Sequence, residues 1–224
     1  MDRLFILRLI NLFFLNSNKY QKHFKLSINK HTTMEELHSY LNLSFKINES
    51  EWNLLLTIIQ NQKFEPKQLL VQQGQVSKYI YFIKSGFLRV FHLNKGKEIS
   101  TYFACDGQFI STFESLITQK PSTEYLEAIE ATEVYAISHQ NLSSLYEQNP
   151  KFEKIGRMLA EQNYLCIKNR TYNFQTQTAK ERYLEFINTY HQKIIQRVPQ
   201  KQLASYLGIE AESLSRIRGQ FLIT

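Results

Sequence analysis

Apolar and polar positions along this chain change period twice. From Met34 to about Gln62 the spacing is helical. In "INESEWNLLLTII", Asn48 stands three residues before Glu51 and predicts a capping box, with Trp52, Leu55, Leu56 and Ile59 on one helical face. From Phe64 the pattern turns to short strand-like runs. "KQLLVQQG" ends at Gly74 and "KYIYFIKSG" at Gly86, while "FLRVFHLNKGKEISTYFACDG" carries Asn94-Lys95-Gly96 between two strands and closes on Asp106-Gly107. "GQFISTFESLITQKP" does not alternate and predicts a short helix and loop, whose opening suits an anion only weakly. "STEYLEAIEATEVYAI" then supplies two further strands up to Ile137. Short strands at a spacing of about 8–12 residues predict a barrel or sandwich, not a parallel sheet.

The helical period then returns. "SHQNLSSLYEQNP" reads as a helix closed by Pro150. A long helix follows from Lys151 to about Arg170, with Ile155, Met158, Leu159, Leu165 and Cys166 broadly on the repeat. Such a connecting helix pairs with a second copy of itself or packs on its own roll, and the first is the expectation here. Thr178 and Glu181 form a second capping-box pattern, opening a helix with Tyr183, Phe186, Ile187 and Tyr190 toward a small core.

"VPQKQLASYLGIEAESLSRIRGQ" carries the most specific pattern. Leu203, Leu207, Ile209, Leu214 and Ile217 fall at the offsets that two steeply crossing helices need for their inward stripes. Ala204 is the small residue at the close crossing, and Gly208 sits where the turn wants a positive φ. Pro199 suits the first turn of the first helix. On the outward face of the second helix lie Glu212, Ser213, Arg216 and Arg218, side chains that reach base edges or phosphates in a major groove. Gln200 and Lys201 open the unit.

Composition narrows this picture. The net charge is +7, but residues 1–33 hold six basic side chains against Asp2 alone, so +5 belongs there and +2 to the rest. Global basicity therefore says little about nucleic acid. The apolar run Leu4–Leu15 is interrupted by Arg8 and too short to span a bilayer, and no signal-peptide core or cleavage site follows. Residues 1–33 are expected to be a disordered or spurious leader before a start at Met34, with a membrane-surface helix as the alternative. Cys105 and Cys166 match no metal or redox spacing, which fits a reduced, cytoplasmic setting. No cofactor, metal site or catalytic set is expected. A cupin-type enzyme would need clustered ligands, whereas the six histidines are scattered.

On "YIYFIKSGFLRVF", "DGQFI", "ATEVYAI", the long helix and "QLASYLGIEAESLSRIR", the chain from Met34 onward resembles the Crp/Fnr superfamily of bacterial transcription regulators. The resemblance implies an α+β protein: a cyclic-nucleotide-binding-type β-roll (34–150), a dimerisation helix (151–177) and a helix-turn-helix DNA-binding domain (178–224). Only "FLIT" follows Gln220, so little or no wing is expected. The implied partners are double-stranded DNA, a second copy of the chain and a small-molecule effector. Arg216 would read a base, Arg218 and Lys201 would hold phosphates, and Glu212 and Ser213 would lie near base edges. The implied effector pocket falls on Gly107, Gln108, Phe109, Ser122 and Thr123. Nucleotide-binding members carry a ribose-binding glutamate, matched here to Gln108, and a phosphate-binding arginine, matched to Ser122. A serine cannot neutralise a cyclic phosphate, so cyclic AMP is not the expected ligand. The cysteine group of iron–sulfur relatives is missing, and a haem on His92 or His139 is not expected. The competing reading is a ligand-sensing or interaction module that reads no DNA sequence.

Overall fold

The computed structural model describes residues 34–220. The expectations for the leader and for a wing after Gln220 lie outside these residues. The described chain divides into two compact units, each treated by itself: one holds 34–92 and Phe103–Met158, the other Leu93–Tyr102 and 159–220.

In the first unit, α1 (Met34–Phe45) leads to α2 (Glu49–Ile58). The capping box forms as its spacing demands. Asn48 Oδ1 accepts the Glu51 N–H at 2.9 Å, and Glu51 Oε2 accepts the Asn48 N–H at 2.8 Å. Burial alone would raise the Glu51 carboxyl, but Lys151 at 2.6 Å, the Asn48 N–H and Asn149 outweigh it and hold the group below its ordinary value. The helix ends earlier than its period suggests, because Gln60–Phe64 forms β1 and pairs antiparallel with β8.

Among the described residues, eight strands make two four-stranded sheets. The others are β2 (Leu69–Val71), β3 (Tyr79–Ser85), β4 (Phe87–Asn94), β5 (Lys97–Cys105), β6 (Phe109–Ile110), β7 (Tyr125–Ala128) and β8 (Thr132–Ser138). The orders are β1-β8-β3-β6 and β2-β7-β4-β5. Every pairing whose register is defined is antiparallel. The predicted interruption is a single short helix, α3 (Phe113–Thr118), after β6.

Alternation along β4 and β7 sorts their two faces. Leu88 and Val90 lie opposite Ala128 and Leu126, all buried, while Arg89 and Phe91 lie opposite Glu127 and Tyr125. Gly86 joins β3 to β4 with φ +128, and a Cβ there would lie 2.3 Å from Thr132 Oγ1. Only glycine fits that corner. The β4–β5 connection is the two-residue turn Lys95-Gly96, with φ of +51 and +77, the mirror-type turn that matches strand twist. α4 (His139–Gln148) follows β8, and α5 (Pro150–Thr176) follows α4.

α5 runs six residues beyond its predicted end at Arg170, since nothing in its sequence stops it before the Thr178 cap. In the second unit it is followed by α6 (Ala179–Thr189), α7 (Gln192–Arg197), α8 (Gln200–Leu207) and α9 (Ala211–Gly219). The Thr178–Glu181 capping box is formed. α7 was not foreseen, for its six residues are too few to show a period, yet Ile194 and the adjoining Val198 are buried. The architecture is α+β, with an N-terminal β-roll and C-terminal helices.

Candidate functional site

The paired helices α8 and α9 meet through the residues their spacing singled out. Leu203, Ala204, Leu207 and Leu214 are buried, with Ile209 and Ile217 half-buried between them. Gly208 closes α8 in the left-handed region at φ +66. Pro199 precedes the first helical residue and serves as N-cap, one position before its expected place. Beneath α8 lies an aromatic core. The Phe186 ring stacks on Tyr190 at 4.5 Å, and the Tyr190 and Tyr206 hydroxyls are 2.5 Å apart. Burial pushes both phenols above their ordinary value, so both stay neutral at any physiological pH.

The outer face of α9 is polar and accessible. Glu212 and Arg216 are exposed, whereas Ser213 and Arg218 are half-buried, Arg218 with its guanidinium 5.8 Å from the Tyr183 ring centroid. Ser215, which sequence reasoning did not single out, is exposed. Its signal was available: it stands three residues after Glu212 and directly before Arg216, off the buried stripe of Leu214. Lys201 is exposed at the start of α8. Gln200 donates Nε2–H to the Ala211 carbonyl at 3.0 Å and so ties the start of α8 to the start of α9. A helix with one buried stripe and this opposite face suits a major groove.

The five candidate pocket residues fall in two places of the roll, the turn after β5 with the start of β6 and the segment before β7. Gly107, at φ +77, donates its N–H to Ile83 O at 2.8 Å. Gln108 folds its side chain back, Oε1 accepting the Cys105 N–H at 2.9 Å, so this carbonyl closes the turn after β5. The Phe109 ring lies 4.9 Å from that of Phe82. Ser122 is buried in the segment before β7, where its Oγ donates to Glu124 O at 2.9 Å and accepts the Glu124 N–H at 3.0 Å. Its backbone pairs with Gly74 and Gln75. Thr123 beside it is exposed.

Two polar features of the roll escaped sequence reasoning. Arg89, only 2 % exposed, pairs with Glu127 across β4 and β7 and lies 4.2 Å over the Phe91 ring. A charged residue inside the apolar run "FLRVF", with a glutamate in "YLEA", was the available signal. Thr112 is 1 % exposed, and its Oγ1 has no hydrogen-bond partner among the described residues. Near it in sequence, the Ser111 and Ser77 hydroxyls meet at 3.2 Å and Ser115 Oγ accepts the Ser77 N–H at 2.9 Å.

Among the described residues no group of three His, Cys, Asp or Glu side chains is arranged to hold a metal ion. None of the described helices is long and apolar enough to cross a membrane. Cys105 is a buried free thiol, and burial raises the Cys166 thiol despite the opposing charge of Arg170.

The roll is followed in the chain by a helix pair whose second member has a polar, accessible outer face. The cyclic nucleotide-binding domain family matches residues 61–149. The chain is 25% identical over 202 residues to the fumarate nitrate reduction regulatory protein of Klebsiella oxytoca, covering 82% of this chain and 77% of that one. It is 23% identical over 195 residues to the regulatory protein HlyX of Actinobacillus pleuropneumoniae, covering 82% and 80%. Among solved structures, FixK2 from Bradyrhizobium japonicum shares the fold with a TM-score of 0.63 at 17% identity, over 74% of this chain and 85% of that one. The c-di-GMP responsive regulator CLP of Xanthomonas campestris gives 0.62 at 14% identity, over 79% and 92%. The chain is thus similar over most of its length to proteins named as regulatory proteins, and residues 61–149 match the cyclic nucleotide-binding domain family.

Proposed function

We propose that this protein is a sequence-specific transcription regulator that binds, as a cytoplasmic homodimer, to a two-fold related DNA site. The observation that carries this reading is the two-sided α9, with Leu214 fully buried on one side and Glu212, Ser215 and Arg216 exposed on the other. Arg216 makes the bidentate base contact, Glu212 and Ser213 lie near base edges together with Ser215, and Lys201 and Arg218 hold phosphates. Gln200 sets the spacing between the two helix starts.

Support for the dimer comes from α5. Tyr164 and Ile167 are 64% and 58% exposed, and Leu165 and Tyr172 are also exposed. A helix with this much accessible apolar surface is suited to pairing with its own copy. The 34–150 segment acts as the effector domain, 151–177 as the connecting helix and 178–224 as the reading domain. The effector is a small molecule other than cyclic AMP, since the position matched to the phosphate-binding arginine is a serine whose hydroxyl is bonded to Glu124. By binding one arrangement of the two reading heads better than another, it shifts DNA affinity.

The test is retention of genomic DNA fragments by immobilised protein, alongside sedimentation equilibrium. Wild type should enrich discrete fragments and sediment as a dimer. Arg216→Glu should lose the enrichment with its circular dichroism unchanged, and Ile167→Asp should shift the protein to monomer. Equal fragment recovery by wild type and Arg216→Glu would favour the sensing or interaction module.

A further inference from the structure

The first helix of the reading pair ends in carbonyls that its own backbone leaves open. Gly208 N–H reaches back to Ala204 O and Ser205 O, and Ile209 N–H bonds to Ala204 O at 3.0 Å, a Schellman-type ending. Tyr206 O and Leu207 O remain. Two arginines from other helices of the same unit take them. Arg170 of α5 donates Nη2–H to Tyr206 O at 3.2 Å, and Arg182 of α6 donates Nε–H to Leu207 O at 3.0 Å.

One aromatic ring joins the two guanidiniums. The Phe174 centroid lies 5.1 Å from the Arg170 guanidinium carbon and 5.0 Å from that of Arg182. A Cβ placed on Gly208 would lie 2.5 Å from Phe174 Cε1, so the ring rests directly against the turn between α8 and α9. Both arginines are anchored further. Arg182 donates Nη1–H to Gln177 O at 2.7 Å, and Arg170 Nη2 also reaches Ser100 O at 3.2 Å. Ser100 is itself fastened to α8, its N–H donating to Ser205 Oγ at 3.1 Å. Two cations at the carbonyl end of α8 also oppose the negative end of its dipole.

We infer that Arg170 and Arg182 are positioning residues for DNA recognition, which hold the turn after α8 and thereby set how α9 is presented, without touching DNA. Arg170 Nη2 and Arg182 Nε and Nη1 are directed to main-chain oxygens of the reading unit and its supports, while Arg170 Nε is buried without a partner among the described residues. The inference rests on the DNA-reading function proposed above. It adds two residues that lie outside the helix pair and that no pattern of groove-facing side chains would find.

The experiment uses the full chain carrying Arg170→Ala, Arg182→Ala, Arg182→Lys or Phe174→Leu, with two readouts. Hydrogen exchange of residues 203–209 reports on the turn itself. The ratio of affinities for a wild-type-selected duplex and a scrambled one, measured across a salt series, reports on recognition. Each alanine variant should exchange about tenfold faster at 203–209, with strand β3 unchanged, because a buried carbonyl has lost its donor. The affinity ratio should fall about tenfold while the salt slope stays that of wild type, since no phosphate contact is removed. Arg182→Lys, which keeps one donor, should recover part of both, and Phe174→Leu should show the same pattern in milder form.

Unchanged exchange or an unchanged ratio would overturn the inference. A slope reduced by about one would mean that the arginine contacts phosphate directly. Equal loss of specific and scrambled binding would mean a merely structural role. A wild type that selects no motif would overturn the DNA reading and the positioning role with it, whereas exchange by itself still reports whether the guanidiniums hold the turn.

Discussion

The hydroxyl of Tyr190, the C-cap of α6, and the Tyr206 hydroxyl on α8 meet at 2.5 Å in the core of the helical unit, beneath the helix pair. A phenol buried there is tolerated because another phenol supplies its hydrogen bond. Tyr206→Phe removes that partner and should destabilise the helical unit by about 1–2 kcal/mol. Adding Tyr190→Phe should restore part of the loss, because no lone hydroxyl is then left buried. Urea denaturation of the two single variants and the double variant measures the coupling.

Gly208 combines a left-handed φ of +66 with the Phe174 ring where a side chain would go. Gly208→Ala should cost about 2 kcal/mol or more from backbone conformation and overpacking together. Phe174→Leu in the same chain should relieve the overpacking and leave the conformational part. Thermal unfolding of the three variants separates the two contributions.

The roll carries a charge triad on adjacent strands. Glu133 on β8 accepts from Lys63 on β1 and from Lys84 on β3, which lower its carboxyl from 4.5 to about 2. A carboxyl depressed in the folded state contributes stability above its unfolded value and loses it as the pH falls through the folded value. The contribution should therefore be complete above about pH 5 and vanish toward pH 2. Glu133→Gln should lower stability at pH 7 and flatten the acid limb in that window. Denaturation at a series of pH values follows both effects.

The fold was readable where a single local rule decided the element. Asn48 and Thr178 each mark a helix start through a box that needs four residues, and Lys95-Gly96 marks a hairpin through two. The inward stripe of α8 and α9 was readable for the same reason. What escaped depends on distant partners. "QNQKF" has no apolar alternation and becomes β1 because β8 supplies its ladder. Arg89 stands inside an apolar run, and only the pairing with β7 places Glu127 opposite it. Gln108 turned out to spend its amide oxygen on the Cys105 N–H, and Ser215, not Ser213, is the serine of α9 that is exposed.

The Ser122 hydroxyl both donates to and accepts from the Glu124 backbone, which leaves the roll with no guanidinium at the position matched to the phosphate-binding arginine. Isothermal titration with cyclic AMP should give no saturable heat below about millimolar concentration, the range left when charge neutralisation is removed. Micromolar binding would show that another cation takes the phosphate.

The central claim is that α9 reads DNA through Arg216. Its most direct test is selection of bound sequences from random duplex DNA, with wild type and Arg216→Ala at one fixed salt concentration, because phosphate contacts can mimic affinity without specificity. Wild type should enrich a two-fold symmetric motif, and the variant should lose or relax the base that Arg216 contacts, at a cost of about 1–3 kcal/mol. Enrichment of the same motif to the same degree by both proteins, or of no motif by either, would contradict the account.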